Sequence, residues 1–160
     1  MTGVAGPATP SECDWLVDVL TRQIPLGGNM QLSIARLDAR GIELHAPLAP
    51  NVNDKGTAFG GALVSLMILA GWSLPRLLLR RADLAADLVI GRCEVRFVAP
   101  VEAGFAVHCD WPDTAAIGDF FDQLRARGRG KLDLAPRIVA AGEVAATLSA
   151  RYAGLDKRKM

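Results

Sequence analysis

The chain has 160 residues, a length that fits one domain and buries enough surface to fold without disulfide or metal support. It is 51% hydrophobic and 22% charged with a mean hydropathy of +0.23, which excludes a disordered polypeptide. Its 18 Lys and Arg against 17 Asp and Glu leave a net charge of +1, which argues against a nucleic-acid binder.

Residues 1–10 are Gly/Ala/Pro-rich and read as a flexible lead-in with no basic or apolar targeting segment. A domain is expected over residues 11–156 and a short basic tail over 157–160. Ser11 opens a predicted helix, with Ser11 and Asp14 at capping-box spacing. Trp15, Leu16, Val19 and Leu20 lie on one face of it, Ile24-Pro25 ends it, and Gly27-Gly28 turns the chain. Met30, Leu32 and Ile34 alternate with polar or small residues as a strand. After a break at residues 38–41, Ile42, Leu44 and Ala46 form a second one, which Pro47 and Pro50 close. An Asn/Asp/Gly-rich loop leads into a long apolar helix over residues 58–79, expected to kink or end near Pro75.

The strand period returns with Cys93, Val95, Phe97 and Ala99 on one face and Arg92, Glu94 and Arg96 on the other. Phe105, Val107, Cys109 and Trp111 mark the next strand, and Ile117, Phe120, Phe121 and Leu124 one face of a short helix. Two final strands, over 131–141 and 143–153, flank Gly142, with Pro136 predicting an edge or bulge in the first. Runs of strands without strict alternation with helices indicate an α+β fold with a largely antiparallel sheet wrapped around the apolar helix.

Residues 58–75 carry no charge, close to the length that spans a bilayer, but three glycines, two serines and a terminal proline favour a buried helix over a membrane segment. Cys13, Cys93 and Cys109 form no C-x-x-C pair, so neither a zinc site nor a disulfide framework is indicated, and a reducing cytoplasm is the natural setting. No cofactor and no metal is called for.

The most specific string is Asn53-x-x-Gly56-x-x-Phe59-Gly60-Gly61, at the start of the apolar helix. It resembles the Asn-x-x-Gly-x-x-His-Gly-Gly motif of hotdog-fold thioesterases. Together with Leu69-Ala70-Gly71-Trp72 and Phe97-Val98-Ala99-Pro100-Val101, it is similar to the thioesterase group named for the YiiD C-terminal domain. The resemblance implies a hotdog fold, a curved antiparallel sheet around a long central helix. It also implies a homo-oligomer, dimer or tetramer, with sites between subunits, and hydrolysis of an acyl thioester of coenzyme A or acyl carrier protein. The backbone N–H groups of Gly60 and Gly61 would face a developing oxyanion.

Two departures bear on mechanism. Phe59 stands in the place of the motif's histidine, and Ile68 stands nine residues later, where many relatives carry a catalytic carboxylate. A base must therefore come from Asp54, Asp87 or Glu94, of the same or of a second subunit. Asn53, Asp54 and Ser65 are the candidates to position or activate water, beside the ordinary roles of an Asx turn and a helix back-bond. Phe59, Leu63 and Met67 suggest an apolar acyl tunnel. Arg127, Arg129 and Lys131, with Arg125, form either a solvated turn or a clamp for coenzyme A phosphates or an acidic carrier protein. His45 and His108 fall on polar strand faces. The alternative function is a non-catalytic module that binds acyl thioesters, which the uncharged helix favours.

Overall fold

The computed structural model describes residues 3–159. Helix α1 (Pro10–Asp18) passes through a π-helical turn at Val19–Gln23 into the short α2 (Pro25–Asn29). Strands β1 (Ser33–Leu37) and β2 (Gly41–Ala46) precede the long α3 (Gly60–Arg81). Then follow β3 (Asp87–Phe97), β4 (Phe105–Asp110), α4 (Thr114–Arg127), β5 (Arg129–Leu134), β6 (Arg137–Ala140) and β7 (Glu143–Leu155).

All seven strands join one antiparallel sheet in the order β1-β2-β4-β6-β7-β3, with β5 pairing β7 beyond β6. The sheet curves around α3, giving the hotdog arrangement that the resemblance implied. Alternation sets the faces: Ile42 and Leu44 of β2, Val107 and Cys109 of β4, and Leu148, Ala150 and Tyr152 of β7 point inward and are buried. They meet Leu66, Met67, Ala70, Leu74, Leu77 and Leu78 of α3 in one core. By length and composition α3 could cross a membrane, yet two-thirds of its most apolar stretch is buried within the fold.

Several boundaries differ from the sequence reading for identifiable reasons. Thr9, not Ser11, caps α1 and forms the capping box with Glu12, because Pro10 occupies the first helical position where its missing N–H costs nothing. Gly27 and Gly28 lie inside α2 rather than in a turn; a side chain on Gly27 would strike the Leu20 carbonyl. Pro75 does not end α3, which continues to Arg81 with Leu74, Leu77, Leu78 and Leu79 fully or almost fully buried. Their burial outweighs the lost hydrogen bond. Pro136 splits the expected 131–141 strand into β5 and β6.

Arg81 ties the N-terminal segment to the end of α3. Its guanidinium donates to the carbonyls of Val4, Gly6 and Pro7 and to both carboxylate oxygens of Glu12, at 2.8 and 3.0 Å. Chiefly because of the Arg81 hydrogen bonds, the Glu12 carboxyl is held at about 2, well below its ordinary value. Midway along α3, the Tyr152 hydroxyl donates to the Ile68 carbonyl at 2.7 Å. Burial pushes the Tyr152 hydroxyl far above its usual range, so it stays a donor.

Candidate active site

The loop before α3 is organised by two asparagines. Asn53 accepts from the Lys55 and Thr57 N–H groups through Oδ1 and donates to Thr57 Oγ1 through Nδ2. Both ends of its carboxamide are therefore engaged in shaping the loop. Gly56 sits at φ +81°, a conformation open to glycine at little cost, and completes the turn. Asn51, only 4% exposed, donates from Nδ2 to the carbonyls of Met30 (3.0 Å) and Pro47 (2.7 Å), joining the end of α2 to the loop. Its own carbonyl accepts from Phe59 N–H at 2.7 Å, which sets the entry into α3.

α3 begins without a side-chain cap and without an acidic residue in its first turn. Among the described residues, neither the Gly60 nor the Gly61 N–H meets an acceptor, whereas Ala62 and Leu63 bond back to the Phe59 carbonyl. Two adjacent donors are thus left open at the positive end of a 22-residue helix. Aromatic rings flank them: a Cβ on Gly60 would lie 3.4 Å from the Phe97 ring, and one on Gly61 would collide with the Phe59 ring. Phe59 and Phe97 are 59% and 56% exposed, large apolar groups left at the surface beside unpaired donors.

Gly61 borders an apolar cleft of about 340 Å³, whose walls include Leu26, Met30, Val52, Phe59, Ala62 and Ser65. Ser65 Oγ donates to the Gly61 carbonyl at 2.8 Å, leaving its lone pairs to accept. Among the described residues, no charged side chain lines the cleft. Asp54 is 86% exposed and pairs with Lys55 at 3.0 Å. Asp87 pairs with Lys157 at 2.7 Å, and Glu94 shares the outer sheet face with Arg92 and Arg96, opposite Val95 and Phe97. Leu63 and Met67 are packed in the core and do not line the cleft. His45 and His108 both face Glu43 on the outer sheet surface, at 2.7 and 3.8 Å.

Arg127, Arg129 and Lys131 are exposed where α4 passes into β5. Arg129 and Asp87 both pair with Leu155, so this basic segment lies across β7 from the start of β3, whereas Phe97 at the other end of β3 covers Gly60. Eleven residues of strand separate the two ends by roughly 30 Å. Neither Asn51 nor Phe97 was read from the sequence as a site residue: their roles depend on contacts with α2 and with the start of α3, which no local pattern reveals.

Over residues 13–156 the chain matches the family described as "Putative thioesterase (yiiD_Cterm)". Among solved structures, a protein of unknown function from Chlorobaculum tepidum is 27% identical and superposes with a TM-score of 0.87, over 91% of this chain and 94% of that one. A "putative thioesterase" from Shewanella oneidensis is 25% identical with a TM-score of 0.80, over 92% and 99%. A thioesterase from Haemophilus influenzae, 11% identical over 96% of each chain with a TM-score of 0.68, shares the fold. The fold, the glycine-headed helix and the match along almost the whole chain agree: the protein belongs to the thioesterase family of the YiiD C-terminal domain.

Proposed function

We propose that the protein hydrolyses an acyl thioester, carried by coenzyme A or acyl carrier protein, to the free acid and the thiol. The observation that carries this reading is the pair of adjacent N–H groups on Gly60 and Gly61, without an acceptor among the described residues, of which Gly61 lines an apolar cleft. A thioester carbonyl seated there receives two backbone hydrogen bonds that strengthen as its oxygen takes on negative charge. Water adds to the carbonyl carbon, the C–S bond breaks, and the sulfur leaves as a thiol carrying one of the water's protons. Ser65, with its lone pairs open, holds the water, while Asn53 acts on the site by fixing the loop.

The base comes from a second copy of the chain. β3 is an eleven-residue strand at the sheet's edge, with Val89, Phe97 and the following Val98 exposed, an arrangement that invites pairing. Antiparallel pairing of two such edges lays the Asp87 end of one copy beside the Phe97 end of the other. It also brings Arg127, Arg129 and Lys131 of the second copy toward the cleft, where they suit the phosphates of coenzyme A or an acidic carrier. Asp54, Asp87 and Glu94 are the carboxylates to test. The three cysteines are unpaired, which suits a cytoplasmic setting.

The test is free-thiol release from acyl-CoA and acyl-carrier-protein panels by wild type and by Asp54→Ala, Asp87→Asn and Glu94→Gln. Turnover by wild type, with one variant losing it, supports hydrolysis. Ligand-induced thermal stabilisation with no turnover on any chain length overturns it in favour of a binding module, the reading that the absence of a charge in the cleft would then explain.

A further inference from the structure

Asn51 is almost wholly buried, yet only half of its carboxamide is satisfied. Nδ2 donates to two backbone carbonyls, Met30 at 3.0 Å and Pro47 at 2.7 Å, and these acceptors fix which end of the amide is which. Oδ1 receives no hydrogen bond from any described residue, and it is not sealed from solvent. The residue lines the apolar cleft beside Gly61, Ala62 and Ser65. The cleft, whose wall Asn51 helps to form, offers an opening to Oδ1. A fixed, unpaired acceptor amid Leu26, Met30, Val52 and Ala62 is costly to cover with a hydrocarbon chain, because the displaced hydrogen bond to water is not replaced.

We propose that Asn51 Oδ1 is a specificity element that accepts a hydrogen bond from a hydroxyl on the acyl group, so that the cleft selects hydroxyacyl over plain acyl thioesters. The inference rests on the thioester reading above. A volume of about 340 Å³ lies at the small end of the range for ligand sites, which suits a short acyl group. The apolar walls bind the chain, and Asn51 Oδ1, beside the Ser65 hydroxyl that holds the water, discriminates between chains that bear a donor and chains that do not. A site built to pair a substrate hydroxyl rejects the analogue that lacks it far more strongly than an apolar pocket separates chains by size.

The experiment compares matched pairs on one carrier: 3-hydroxybutyryl-CoA with butyryl-CoA, and 3-hydroxyoctanoyl-CoA with octanoyl-CoA. Thiol release gives kcat/KM, and calorimetry gives Kd for each thioester. The hydroxylated member is expected to be favoured by at least about tenfold in one pair, the equivalent of one buried hydrogen bond. Asn51→Ser, checked for retained folding by its thermal transition, is expected to abolish the preference; should it fail to fold, the wild-type ratios decide alone. Equal values within both pairs overturn the role of Asn51 and leave hydrolysis standing, as they would if Oδ1 instead receives an amide N–H of the carrier arm. A preference in Kd with no turnover supports Asn51 and overturns hydrolysis. Binding of neither member of either pair overturns both.

Discussion

Gly71→Ala tests how closely α3 is held against the sheet. A Cβ at residue 71 would lie 2.5 Å from the Tyr152 hydroxyl and 3.1 Å from both Tyr152 Cε2 and Pro136 Cγ, all within the buried interior. Relieving the overlap costs about 1–3 kcal/mol of strain. Displacing the hydroxyl also breaks its 2.7 Å hydrogen bond to the Ile68 carbonyl and strands a buried donor, for about 1–3 kcal/mol more. The better helix propensity of alanine returns about 1 kcal/mol. The net expectation is a loss of about 3 kcal/mol, which for a chain of this size lowers Tm by roughly 6–12 °C.

The assay is a double-mutant cycle by chemical denaturation with Tyr152→Phe. That change alone should cost about 1 kcal/mol, since the Ile68 carbonyl keeps its helical position and only the tyrosine bond is lost. In the double variant the closest clash has gone, so it should be more stable than the sum of the single effects by about 1–2 kcal/mol. Additivity within about 0.5 kcal/mol would refute the claim that the tyrosine hydroxyl is what excludes a side chain at residue 71.

Four further outcomes follow from the same geometry. Glu12→Gln should destabilise the fold by about 1–2 kcal/mol at pH 7, after allowing for partial exposure of the pair. Because the folded pKa of Glu12 is depressed, wild-type stability from this pair is present above about pH 4.5 and is lost as pH falls toward 2. The two proteins should therefore converge in thermal melts at low pH. Gly61→Ala keeps the backbone N–H but sets a methyl against one edge of the exposed Phe59 ring, which can swing into solvent, so Tm should move by less than about 2 °C while kcat falls about 100-fold because the methyl holds the thioester carbonyl away from that N–H. Cys93→Arg, at an exposed position on the edge strand, should leave the monomer folded and shift light-scattering mass toward one chain. Thr9→Ala should cost about 1 kcal/mol by removing the α1 capping box, read as a Tm loss of roughly 2–4 °C.

Much of the architecture was legible because it rests on local periodicity. The alternation of Ile42, Leu44 and Ala46, and of Phe105, Val107 and Cys109, placed β2 and β4 on the core face where they lie. The uncharged run after residue 58 marked the buried helix, and Ile117, Phe120, Phe121 and Leu124 marked the inner face of α4. The signals that misled were prolines and glycines. Pro75 and Gly27 obey the surrounding packing rather than their usual preferences, and packing energy is invisible in a window of a few residues.

The glycine pair and its loop motif were readable from the string Asn53 to Gly61, because a backbone donor site at a helix start requires small residues and a turn just before them. What surrounds that pair was decided only by the fold. Phe97 reaches Gly60 from the far end of the next strand, and Asn51 is tied to Met30, twenty-one residues earlier. The sheet also turns Glu94 to its outer face and leaves Asp54 in solvent, so the cleft holds no charge of its own. By itself the sequence determined the backbone half of the site. The tertiary structure decided the side-chain half, because that half consists of contacts between segments whose spacing along the chain carries no periodic signal.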